Sequence, residues 1–117
     1  MTDLATGEVP ITLNDKTLIL KPTLRAITML SNQYGGLAKL REQIVAQDFQ
    51  ACVATIRWGL NLNDREASKL PEQVYANGVN GELMIALIRY AAILGNGGKP
   101  IEGDAGAGTD EVDAGNG

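Results

Sequence analysis

The sequence predicts a mainly α fold with a small N-terminal β-hairpin, an α+β arrangement of about five short helices, followed by a disordered C-terminal tail. Three observations carry this. Apolar residues alternate with period two from Val9 to Leu20, which is the strand pattern. Beyond Pro22 the apolar spacing changes to i, i+3, i+4, and helix-capping residues open the segments. From Gly95 onward periodicity stops, and residues 95–117 hold eight of the chain's 14 glycines.

Each element follows from its residues. Residues 1–7 form a flexible lead to a single domain over residues 8–95. In Val9–Leu20, Val9, Ile11 and Leu13 make one face, and Leu18 and Leu20 continue it after the turn pair Asn14-Asp15. Pro10 lacks an N–H, so it belongs at a strand start or on an edge. A two-stranded hairpin alone is marginal in water. It must pack on the helices or pair with another chain.

Thr23 caps a helix through about Gln33, with Leu24, Ile27, Leu30 and Tyr34 as its apolar stripe; Gly35-Gly36 stops it. Leu37, Leu40 and Ile44 mark a second, short helix. Asp48 caps a third, in which Phe49, Cys52, Val53, Ile56 and Leu60 form the cleanest stripe, and Gly59 is a weak point. Asn63 with Glu66 three residues on resembles a capping box opening a fourth. Pro71 then marks either a kink or the first position of another short turn, ending at Asn77-Gly78. Asn80 caps the last helix, through about Leu94. Its apolar residues run nearly all the way round, so it is either central in the core or shared with a partner. Residues 96–117 are expected to be disordered, because they have too little apolar surface to offset ordering at roughly 1–2 kcal/mol per residue.

Charge and composition exclude several functions. The net charge is −4, yet five of the 14 acids (Glu102, Asp104, Asp110, Glu111 and Asp113) lie in residues 102–117, which hold none of the ten bases. The folded part is therefore about neutral and has no Lys/Arg cluster, which argues against nucleic acid as a partner. Cys52 is the single cysteine and histidine is missing, so neither an internal disulfide nor a Cys/His metal site is available. The tail acids do not follow a calcium-loop pattern. The apolar run Leu83–Leu94 is too short to span a bilayer and contains Arg89. No secretory signal opens the chain.

Catalysis has little to work with. Ser31 and Ser68 have no histidine to activate them, and Cys52 lies on an apolar stripe where a thiol stays protonated. The remaining carboxylates sit at helix starts or on polar faces. No cofactor motif is present; Gly35-Gly36 and Gly95–Gly98 read as helix stops, not phosphate loops. The expectation is a non-enzymatic protein.

Two features suggest a partner surface. Trp58 lies two positions past Ile56, about 200° around the helix from the apolar stripe. It is either covered by a second helix or, with Arg57 beside it, an exposed anchor of the kind found at interface hot spots. On the last helix, Met84, Leu87 and Tyr90 either belong to the core or form an adaptable groove or self-association surface.

The order of these elements resembles a known group. The run E-V-P-I-T-L-N-D-K-T-L-I-L-K-P-T-L-R-A-I from Glu8 to Ile27, the helix L-R-A-I-T-M-L, and D-F-Q-A-C-V-A-T-I-R-W-G-L from Asp48 to Leu60 are similar to tail assembly chaperones of siphophage-like particles and gene transfer agents. The similarity covers roughly residues 8–95 and rests on apolar spacing with a few Gly and Arg positions. It implies a protein that coats the long helical tape measure protein, keeps it soluble and recruits tail tube protein. It also implies action in the bacterial host cytoplasm and absence from the finished particle. A longer frameshifted product is known in related phages and is implied only in that sense. The alternatives are a structural tail component, such as a tail tube or minor tail protein, and a small regulatory protein-binding module. A homo-oligomer fits any of them.

Overall fold

The computed structural model describes residues 7–101. The chain forms β1 (Val9–Leu13), β2 (Lys16–Leu20), α1 (Leu24–Tyr34), α2 (Leu37–Val45), α3 (Phe49–Leu60), α4 (Asp64–Asn77) and α5 (Gly81–Gly95). This is the expected mainly α fold with an N-terminal hairpin.

The hairpin is antiparallel, with Leu13 opposite Lys16 and Val9 opposite Leu20. Asn14 and Asp15 both take left-handed backbone, φ 52° and 70°. That is the type I′ turn whose twist suits a two-residue connection. Val9, Ile11, Leu13 and Leu20 are buried, while Pro10 and Thr12 face out. The hairpin gains its stability from the helices. Its tip is tied to α4: the Asn14 N–H donates to Asn77 Oδ1, and Asn14 Nδ2 donates to the Gln73 carbonyl, both at 2.9 Å. Its base is tied to α3, where the Lys21 N–H donates to the Gly59 carbonyl at 2.9 Å.

Every side-chain N-cap read from the sequence is formed. Thr23, Asp48, Asn63 and Asn80 each accept a hydrogen bond from the backbone N–H three residues on. Asn63 and Glu66 complete a reciprocal capping box. Two details differ from expectation. Pro71 does not open a separate short turn; α4 runs through it. Proline removes one hydrogen bond there, but Leu70 and Val74 on either side are buried and hold the helix against the domain. Leu24, expected on the α1 stripe, is 81% exposed; Leu30 is buried as expected, and Ala26, outside that stripe, is buried too. Leu24 is the first residue of α1, and Ala26, two residues on, is the side chain of that turn that enters the core.

The enclosed helix is α3. It packs on β2, α1, α2, α4 and α5, so Ala51 through Ile56, Trp58 and Gly59 are all buried. Gly59 is required by this packing. A Cβ there would lie 2.8 Å from Leu20 Cδ2 and 3.1 Å from Leu20 Cβ. The all-round apolar α5 keeps a partly open side, with Ile85 61% exposed.

Order continues past the expected boundary at residue 95. Gly98 donates its N–H to the Ile93 carbonyl, and Ile101 packs against the core. Gly97 and Gly98 take left-handed backbone and turn the chain back, which gives Ile101 an apolar anchor. Gly7 also belongs to the folded part: it is buried, and a Cβ there would meet the Gly98 carbonyl. The rest of the expected lead and tail, residues 1–6 and 102–117, lies outside the described residues.

Candidate partner-binding surface

The residues singled out in the sequence do not make one surface. Trp58 is 7% exposed and is covered by two guanidinium groups. Arg57 stacks 4.3 Å from its ring centroid and Arg25 of α1 lies at 5.5 Å. Trp58 is therefore a core residue with cationic cover and not an exposed anchor. Arg57 is half-buried and paired with Asp64 at 2.6 Å. Asp64 is the first residue of α4, so the pair links the end of α3 to the start of α4.

Leu87 and Tyr90 are fully buried, which removes them from any surface groove. The Tyr90 hydroxyl donates to the Lys21 carbonyl at 2.6 Å, and burial pushes its pKa up. Tyr90 is thus the α5 support for the base of the hairpin. Met84 is half-buried beside exposed Ile85. Cys52 is buried, and burial, with the Asp48 carboxylate adding, pushes its thiol up to about 11. It holds its proton at neutral pH and is a poor nucleophile.

The structure brings together a surface that the sequence did not point to. A groove of about 710 Å³ opens between the tip half of the hairpin and the α3–α4 corner. Its floor is Leu13, Leu18, Leu60, Leu62 and Leu70. Of these, Leu18, Leu60 and Leu62 are only half-buried, so apolar area remains open to a partner. The rim carries Lys16 from the hairpin and Arg65, Glu66 and Lys69 from α4. Asn14 and Gln73 close one end through their hydrogen bond. A smaller recess of about 220 Å³ lies between β1 and α5, lined by Pro10, Thr12, Ile85 and Arg89 among others.

The volume of the groove is in the range of ligand sites. Its chemistry is apolar contact with charged edges, which suits recognition of another polypeptide. Among the described residues, no helix is long and apolar enough to cross a membrane. No protein-family profile, no characterised protein and no solved structure matches the chain.

Proposed function

We propose that this chain is a non-enzymatic protein-binding module that serves as a tail assembly chaperone of a siphophage-like particle or gene transfer agent. In this reading it holds the tape measure protein soluble in the bacterial cytoplasm and hands it to tail tube subunits. The observation that carries the reading is the leucine-floored, basic-rimmed groove between the hairpin and α4. The order of elements from Glu8 to Leu60 supplies the particular context.

Physical chemistry supports binding over reaction. The two groups with the largest pKa shifts, Cys52 and Tyr90, are shifted away from reactivity. Both serve packing. The described sheet has two strands, whereas a tail tube subunit needs a strand-rich ring. A tape measure protein presents repeated helical sites, so many weak contacts of one groove can act together.

Co-expression tests the proposal. The tape measure protein of the same gene cluster is produced with and without this chain, and its soluble fraction is measured along with its recovery on the tagged chain. Greater solubility and co-purification are expected. Unchanged solubility with no recovery refutes the proposal.

A further inference from the structure

We propose that the groove takes an acidic amphipathic segment of its partner, with leucine-type side chains on the floor and carboxylates against Lys16, Arg65 and Lys69. This rests on the reading of the groove as a protein-binding site. The rim sets three cations against one carboxylate, Glu66. That carboxylate is already engaged, since Glu66 Oε1 accepts the Asn63 N–H at 3.1 Å in the capping box. Among the described residues, none of the three cations is held in an ion pair. Arg65 and Lys69 are four residues apart on α4, so they lie one turn apart on the same side, about 6 Å between Cβ atoms. Two carboxylates at i and i+4 of an incoming helix present the same spacing. From Arg65 to Gln73 the helical wall is about 12 Å long at 1.5 Å per residue. That matches roughly two turns of a bound segment, enough for anchors at i, i+3 or i+4, and i+7. Partner-side bases would be repelled along the same rim.

Two fluorescein-labelled synthetic helical peptides test this on the full chain. They share one leucine stripe, and differ in carrying Glu or Lys along its flanks. Fluorescence anisotropy at low salt is expected to show at least tenfold tighter binding of the acidic peptide, weakening as salt is raised. The paired reversal Lys16→Glu and Lys69→Glu, both at exposed positions, is expected to invert the preference while the circular dichroism spectrum is unchanged. Equal or tighter binding of the Lys peptide to the original chain overturns the acidic assignment but leaves a protein-binding groove. Failure of both peptides overturns the groove itself. If the acidic peptide binds only after Asp110→Asn, Glu111→Gln and Asp113→Asn, the occupant is the chain's own C-terminal segment and the assignment to a partner falls. It falls also if the charge reversal abolishes a self-association seen by sedimentation, because the occupant is then a second copy.

Discussion

Gly59→Ala is the sharpest probe of how the hairpin is seated. In a solvent-exposed helix interior this change stabilises by about 1 kcal/mol, because alanine has the better helix propensity. Here the added Cβ would stand 2.8 Å from Leu20 Cδ2, 3.1 Å from its Cβ and 3.3 Å from its Cγ. Leu20 is fully buried, so its side chain has no solvent to swing into. The neighbouring strand cannot slide away freely either, since the Lys21 N–H is bonded to the carbonyl of Gly59 itself. Overpacking of this kind costs about 1–3 kcal/mol, and the main-chain tether puts the cost in the upper half of that range. The net effect is a loss of about 1–2 kcal/mol, or roughly 5–10 °C in thermal midpoint for a domain of this size. The assay is urea unfolding followed by circular dichroism, run as a cycle with Leu20→Ala. Leu20→Ala alone costs about 2–5 kcal/mol, and it also removes Cγ and both Cδ atoms from the path of the new methyl. Gly59→Ala in that background is expected to be close to neutral, giving a coupling of about 1–2 kcal/mol. Stabilisation by Gly59→Ala in the original chain, or simple additivity in the cycle, would refute the close approach of β2 to α3.

Trp58→Ala is expected to destabilise the domain by about 3–5 kcal/mol, because the ring is buried under Arg25 and Arg57; an unchanged unfolding midpoint by circular dichroism would contradict that placement. Asn14→Ala is expected to cost about 1 kcal/mol more than Asn14→Gly: both lose the bond to the Gln73 carbonyl, but only alanine must also adopt the left-handed φ of 52°. Denaturant midpoints of the two variants decide it. The pH dependence follows from Cys52. Its folded thiol keeps its proton up to about 11, whereas an unfolded cysteine releases it near about 8.5. Stability from this group is therefore complete below about pH 8.5 and falls as pH rises through the folded value. Tyr90, also pushed up, steepens the fall above about pH 10. Cys52→Ala is expected to flatten the arm between about 8.5 and 10, and a profile identical to that of the original chain would count against burial as the cause of the shift.

Local chemistry made most of the fold legible. Helix caps act within three residues, so Thr23, Asp48, Asn63 and Asn80 could be read without knowing what surrounds them, and all four are bonded as their positions imply. The turn pair Asn14-Asp15 is equally local. What stayed open was what neighbours distant in sequence decide. Periodicity placed Trp58 opposite the stripe of α3 correctly, but could not show that α1 lies there and brings Arg25 with it. Periodicity likewise leaves Leu87 and Tyr90 between core and surface, and the packing of α5 against the rest of the domain buries both. Pro71 was locally a breaker, yet buried Leu70 and Val74 keep α4 whole.

The groove was invisible for a related reason, and its origin ties the fold to the proposed function. Lys16 and Leu18 belong to the hairpin, Arg65 and Lys69 to α4, and no pattern along the chain joins them. They meet because the hairpin is held at two points. At the base, Gly59 lets β2 touch α3, and Tyr90 bonds the Lys21 carbonyl from α5. At the tip, Asn14 bonds across to Gln73 and Asn77. Between these anchors Leu18, Leu60 and Leu62 line the groove only half-buried, over buried Leu13 and Leu70. Asn14 lines the groove and holds its tip end, while the base of the hairpin is fixed separately at Gly59 and Tyr90. Asn14→Gly, which frees one tip bond and leaves the base intact, should therefore change peptide affinity more than it changes the unfolding midpoint. The reverse ordering would mean that the tip anchor serves only the fold.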